Sequence, residues 1–113
     1  EIFLKEVINI IEKGMFDSQF NIDSVATAIG MGRTTFYKKL KSLTSLSPVE
    51  FVREIRLKRS EQLLSSKQYS VSEVAYMTGF TSSGYFSTCF KEKYGCSPSD
   101  FIKNFAIKQT IKQ

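Results

Sequence analysis

Histidine is absent from the 113 residues, and with it the usual general base, the commonest metal ligand and any imidazole switch near neutral pH. Cysteine occurs only twice, at Cys89 and Cys96, too few for the four Cys or His ligands of a structural zinc site. Two thiols in a reducing compartment are the simpler expectation than a disulfide. There is also no Gly-rich phosphate loop, nucleophile elbow or metal-ligand cluster, so neither an enzyme nor a cofactor or metal is expected. No apolar run reaches the roughly 20 residues that cross a bilayer, and the opening residues do not read as a secretory leader. A soluble, cytoplasmic piece of a longer protein is therefore expected, its first residue being Glu1 rather than Met.

What the chain does have is a core's worth of apolar residues (42%) and an unevenly placed positive charge. The total is +5. Residues 31–60 hold eight basic side chains (Arg33, Lys38, Lys39, Lys41, Arg53, Arg56, Lys58 and Arg59) against Glu50 and Glu54, which leaves the other 83 residues at −1. A local surplus of this kind suits a phosphate-facing surface, because neutralising phosphates releases condensed counterions. Glu50 and Glu54 lie one helical turn apart and are expected to pair with Arg53, Arg56 or Lys58.

The chain also resembles itself. Val25-Ala26-x3-Gly30 recurs as Val74-Ala75-x3-Gly79, a shift of 49, and Phe36-x3-Leu40-Lys41 recurs as Phe86-x3-Phe90-Lys91, a shift of 50. The second register continues through Ser47-Pro48-x2-Phe51 and Ser97-Pro98-x2-Phe101. Eight identities at a nearly constant offset describe two copies of one supersecondary unit.

Each copy reads as helix, short turn, helix. In the first, Asn21 is placed to cap a helix whose apolar positions are Ile22, Val25, Ala26 and Ile29, and Gly30 supplies the left-handed residue that ends it. A second helix follows with Phe36, Leu40 and Leu43 on one stripe and Arg33, Thr34, Tyr37, Lys38 and Lys41 opposite. In the second copy, Ser70-x2-Glu73 is a capping box, Gly79 ends the first helix and Ser82 caps the next. There Tyr85, Phe86, Cys89 and Phe90 are expected inward, with Ser83, Gly84, Ser87, Thr88 and Lys91 outward. A tight Gly-containing turn between two helices is the unit that lays its second helix in a DNA major groove.

Ser47-Pro48-Val49-Glu50 combines a cap, a proline at the first helical position and a glutamate three residues on, so a helix should begin there and run to Ser65-Ser66. Phe51, Val52, Ile55, Leu63 and Leu64 are its apolar contacts. About 18 residues at 1.5 Å each give a strut of about 27 Å, which would set the two second helices about one turn of B-DNA apart. Ahead of the first copy, a helix from Ile2 to about Lys13 carries Phe3, Leu4, Val7, Ile8 and Ile11 on a stripe. After the second, Ser97-Pro98-Ser99-Asp100 opens a last helix with Phe101, Ile102 and Phe105. The expectation is an all-α chain of about seven helices: a first helix-turn-helix subdomain over 1–47, a linker helix over 48–66, a second subdomain over 67–105 and a fraying tail over 106–113.

With these motifs in hand the chain resembles the DNA-binding domain of AraC-type (AraC/XylS) transcription regulators. The resemblance rests on Phe20-x-Ile22-x2-Val25-Ala26-x3-Gly30-Met31, Phe36-Tyr37-Lys38-Lys39-Leu40-Lys41, and Ile55-Arg56-Leu57 with Leu63-Leu64. It rests also on Val74-Ala75-x3-Gly79-Phe80 running into Tyr85-Phe86-Ser87-x2-Phe90-Lys91-x3-Gly95-x-Ser97-Pro98. The opening helix with Phe16-Asp17 and the Gly-Met turn is similar to output domains that end response regulators and hybrid two-component sensors.

The resemblance implies a cytoplasmic bacterial regulator, often an activator, that binds double-stranded DNA and is dimeric at full length, with RNA polymerase as a further candidate partner. It carries base contacts to Arg33, Thr34, Tyr37, Lys38, Ser83, Gly84 and Thr88, and phosphate contacts to Lys41, Arg56, Ser82, Ser87 and Lys91. Lys38 can donate to guanine O6 or N7, and Thr34 offers a hydroxyl or a methyl.

Three positions depart from the pattern: Gly32 replaces the usual capping Ser, Ser45 the usual Gly before the strut, and Thr88 a common Arg or Lys. The second copy should therefore read bases less well than the first. The alternative reading is a helical module that binds a protein partner, with the basic strut merely solvated. DNA binding that is insensitive to salt would favour it.

Overall fold

The computed structural model describes residues 1–104, and Phe105 with the tail 106–113 lies outside them. The described residues are all-helical, with no strand. Six helices, α1 (Ile2–Gly14), α2 (Asp23–Ile29), α3 (Arg33–Thr44), α4 (Pro48–Ser65), α5 (Val71–Met77) and α6 (Ser83–Tyr94), are followed by a seventh, α7, over 98–104. The chain divides into two compact units between Arg56 and Leu57, inside α4. Each half of α4 supplies core residues to its own unit.

In the first unit, α1 buries Phe3, Val7 and Ile11 against Val25 and Ala26 of α2, Phe36 and Leu40 of α3, and Phe51 and Val52 of α4. Leu4 and Ile8 pack at its edge. Complete burial of Phe36 and Leu40 stabilises the unit by about 1.5–3 kcal/mol each. Leu43, expected on the same stripe, is 42% exposed, because it follows Leu40 by only three residues near the end of α3, past the reach of the core. Asn21 does not occupy the cap position itself. Ile22 does, in helical conformation, while the Asn21 Oδ1 accepts from the Asp23 N–H at 2.8 Å and so closes the turn one residue earlier.

In the second unit, Leu57 and Leu64 of α4 close over Val74, Ala75, Phe80, Phe86, Cys89 and Phe90. A run of ring contacts holds it: Phe80–Phe86 at 5.1 Å, Phe86–Phe90 at 5.7 Å and Phe90–Phe101 at 5.5 Å between centroids. Two buried hydroxyls satisfy themselves within their own helices. Ser60 Oγ donates to the Leu57 carbonyl at 2.6 Å, and Thr78 Oγ1 to that of Val74 at 2.8 Å. Tyr85, expected inward, is 49% exposed with its ring against Phe80, so the inward face of α6 is Phe86, Cys89 and Phe90. Both cysteines are free thiols.

The sequence repeat is a repeat of hydrogen bonds. The Met31 N–H reaches the Ala26 carbonyl at 2.9 Å across Gly30 (φ 82°), and the Phe80 N–H reaches that of Ala75 at 3.0 Å across Gly79 (φ 88°). Each first helix therefore ends in the same six-to-one closure over a left-handed glycine. The one-residue change of register falls in the turn after it, residues 31–32 in the first copy and 80–82 in the second.

Candidate nucleic-acid interface

Both second helices present the same five places outward. On α3 these are Arg33, Thr34, Tyr37, Lys38 and Lys41, and fifty residues on, on α6, Ser83, Gly84, Ser87, Thr88 and Lys91. Spacing of one, four, five and eight residues puts each set on one helical face. Arg33, Thr34, Lys38 and Lys41 are exposed and Tyr37 is half-buried. Helix α3 carries four cations, the fourth being Lys39, and no acid. The Lys39 Nζ sits 4.5 Å from the Phe3 ring centre, so this lysine also fastens α3 to α1.

The two faces differ in how their side chains are held. No side chain caps α3 at Gly32, whereas the Ser82 hydroxyl accepts from the Tyr85 N–H at 3.1 Å and caps α6. On α6 the exposed Thr88 donates to the Gly84 carbonyl of its own helix at 3.2 Å. Ser83 and Ser87 are half-buried, and Lys91 stands exposed in the last turn. On α3 the side chains are organised from outside the helix. Asp23, the first residue of α2, accepts from the Tyr37 hydroxyl at 2.8 Å on Oδ1, and the same oxygen lies 3.4 Å from Arg33 Nε. The Arg33 guanidinium lies 5.2 Å over the Tyr37 ring. Hydrogen bonding to Tyr37 and the charge of Asp23 raise the Arg33 pKa above its ordinary value.

Sequence reasoning missed Asp23. It sits across the turn from α3, where periodicity within one helix gives no signal, and only an acid facing a basic helix from its partner would have suggested it.

Arg56, expected at a phosphate, has partners within the chain. Its Nε donates to the Met15 carbonyl at 3.2 Å and a terminal nitrogen to that of Asp17 at 3.3 Å. A guanidinium spread over two carbonyls of the α1–α2 loop ties α4 to that loop. Glu50 likewise turns to its own helix start. Its carboxylate accepts from the Ser47 N–H at 3.0 Å while the Ser47 hydroxyl accepts from the Glu50 N–H at 3.2 Å, a closed capping box, with the charges of Lys41 and Arg53 also acting on the carboxylate. The backbone and hydroxyl of Ser47 hold the Glu50 carboxyl below its ordinary pKa, and Ser70 does the same for Glu73. Beside the α3 face, Tyr37, Lys38, Lys41, Ser42, Ser47 and Pro48 line a shallow groove.

Among the described residues no three His, Cys, Asp or Glu side chains gather as metal ligands, and no helix is long and apolar enough to cross a membrane.

Residues 25–104 match a family of helix-turn-helix domains. The chain is 38% identical over 106 residues to histidine kinase P4 of Formosa agariphila, covering 94% of this chain and 8% of the kinase. It is 34% identical over 85 residues to the HTH-type transcriptional activator RhaS of Escherichia coli O1:K1, covering 75% of this chain and 31% of RhaS. The chain thus spans less than a third of either curated relative. Its backbone is similar to the DNA-binding domain of AdpA, a global transcriptional factor solved in complex with a target DNA, at a TM-score of 0.84 and 28% identity over 95% of this chain and 96% of that one.

Proposed function

From a chain that belongs to the AraC-type helix-turn-helix domains, DNA-binding modules of transcription regulators, we propose that α3 and α6 each enter a major groove and that the two faces divide the work unequally. On α3, Arg33, Thr34, Tyr37 and Lys38 meet base edges and Lys41 meets phosphate. On α6, Ser83, Gly84 and Thr88 meet the bases, with Ser82, Ser87 and Lys91 on the backbone. Arg56 is left out of the phosphate set because its guanidinium already spans two carbonyls.

The observation that carries this reading is the likeness, over nearly the whole chain, to a domain solved on its target DNA, with four cations and no acid on α3. Phosphate neutralisation supplies affinity irrespective of sequence, and the exposed Lys38 and Thr34 supply donors for base edges. On this reading the domain's work is binding.

The whole protein reads as a cytoplasmic signalling regulator. The identity with a histidine kinase supports an output domain of a sensor, and that with RhaS supports activation of transcription. On this reading RNA polymerase is the protein partner and the full-length protein works as paired copies.

Selection of bound duplexes from random sequence tests the reading, followed by binding to the recovered site between 50 and 200 mM salt. The expected outcome is two short blocks of preferred bases, one for each hairpin, and a log–log salt slope of about −0.9 for every phosphate contacted. A flat salt dependence with no enriched sequence overturns it.

A further inference from the structure

Arg33 opens the base-facing helix, and a lone exposed arginine beside DNA is drawn to any phosphate, whatever the sequence. Here it is not alone. The Asp23 carboxylate lies 3.4 Å from Arg33 Nε, the Tyr37 hydroxyl donates to the same carboxylate at 2.8 Å, and the guanidinium lies 5.2 Å over the Tyr37 ring. The three groups come from two helices on either side of the Gly30 turn. Asp23 heads α2, while Arg33 and Tyr37 stand one turn apart on α3.

We propose that Asp23 is a specificity-determining positioning residue, which holds Arg33 on Tyr37 and cancels its charge so that the arginine contributes to base reading but not to indiscriminate phosphate attraction. The inference rests on the reading of α3 as the base-facing helix.

Two physical consequences follow from one carboxylate. An arginine pinned through Nε and stacked on a ring keeps its planar terminal fork in a limited set of directions, so less rotamer freedom is lost when that fork meets a base edge. A carboxylate within ion-pair distance also removes one net positive charge from the face. Phosphates are the ligand sensitive to net charge, whereas a base edge is sensitive to where the donors lie. The side chains of Arg33 and Asp23 are 69% and 38% exposed, so the pair is an adjustable surface device and not a structural pillar. Tyr37 is the firmer part, half-buried against the first core.

The test uses the 113-residue chain, a duplex recovered by selection from random sequence, and a scrambled duplex of the same composition. Asp23→Asn keeps the shape and an acceptor for the Tyr37 hydroxyl while removing the charge. It is expected to tighten binding to the scrambled duplex several-fold, to steepen its salt slope by about 0.9, as for one more phosphate, and to reduce the ratio of specific to scrambled affinity at least about fivefold. Asp23→Glu should keep the wild-type slope. Arg33→Ala in the Asp23→Asn background should return the slope to the wild-type value, an outcome that a general loss of stability would not produce.

Unchanged slope and ratio in Asp23→Asn overturn the proposal, as do equal losses in the Asn and Glu variants. The underlying reading is checked separately by Lys38→Ala. If that variant binds both duplexes as the wild type does, α3 is not the reading helix and the fault lies there.

Discussion

Ser45 and Gly95 close α3 and α6 with the same bond, fifty residues apart. Each lies in the left-handed region, at φ 63° and 80°, and each donates its N–H at 2.8 Å to the carbonyl of the lysine four residues back, Lys41 or Lys91. The two closures differ in cost. Glycine adopts this backbone freely, while a residue with a Cβ is strained by it. Ser45→Gly is therefore expected to stabilise the first unit by about 0.5–1 kcal/mol, the relief of strain exceeding the added freedom of the unfolded chain. Gly95→Ser should cost the second unit about 1 kcal/mol. Urea unfolding of the two variants measures both, and a loss of stability in Ser45→Gly would contradict the strain argument.

The helix starts show the reverse inequality. Ser82 caps α6 with its hydroxyl and Gly32 offers nothing to α3, although its extended backbone (φ −66°, ψ 152°) suits a serine and no neighbouring atom lies within 4 Å of the place a Cβ would take. Gly32→Ser should add a few tenths of a kcal/mol, and Ser82→Ala should cost about 1 kcal/mol. Thermal melting of both variants decides the matter, and equal midpoints for Ser82→Ala and wild type would remove the cap from the account.

For Arg56 the question is stability against affinity. Removing a half-buried guanidinium that serves the carbonyls of Met15 and Asp17 should destabilise the first unit by about 1–2 kcal/mol. The salt slope of DNA binding should barely change, whereas Lys41→Ala should reduce its magnitude by about 0.9. A phosphate-facing Arg56 would give the opposite pattern, with the slope reduced and the stability intact.

Much of this was legible in residues alone. The caps, the left-handed glycines and the strut's start are local chemistry, written within four residues, and Ser47, Ser70, Ser82 and Gly30 all act as their neighbours require. Leu43 and Tyr85 were placed inward because they are apolar and fall near a stripe. Their counterparts in the other copy are Lys93 and Thr35, both exposed, so the repeat itself carried the signal that single-helix periodicity lacked. Asp23, Arg56 and Ser60 could not be read this way. The first two act on groups 10 to 41 residues away, and the last is a small polar residue buried by tertiary packing.

Acid should loosen both capping boxes. The Glu50 and Glu73 carboxyls are held below their ordinary value of 4.5 by the backbone and hydroxyl of Ser47 and Ser70. A carboxyl whose pKa is depressed on folding contributes stability that is fully present above its unfolded value and is lost as the pH falls through the folded one. Stability should therefore be level near neutrality and decline below about pH 4.5. Glu50→Gln with Glu73→Gln keeps acceptors at both caps but removes the protonation, so the double variant should show a shallower decline. Melting midpoints across pH 3 to 7 give the comparison, and parallel curves for the two proteins would assign the acid sensitivity to other carboxylates.

The unequal division between the hairpins has the sharpest test. Helix α3 offers four cations and no acid, with Lys38 exposed at the centre of its outward face. The matching place on α6 is Thr88, a short side chain that already donates to the Gly84 carbonyl, and the cations Lys91 and Lys93 come only in the last turn. A lysine donating to guanine O6 or N7 discriminates against a wrong base by about 1–3 kcal/mol, roughly five- to 150-fold in affinity. A threonine whose hydroxyl hydrogen is engaged keeps its methyl and an acceptor oxygen, but offers no donor to guanine and no charge. Lys38→Ala should therefore flatten the base preference of one block in footprints resolved to single bases, while Thr88→Ala leaves both blocks readable. Lys91→Ala, by contrast, should weaken binding to every sequence alike and reduce the salt slope by about 0.9, the mark of a phosphate contact. If Thr88→Ala erased more discrimination than Lys38→Ala, the second hairpin would be the reader, and the charge on α3 would serve affinity alone.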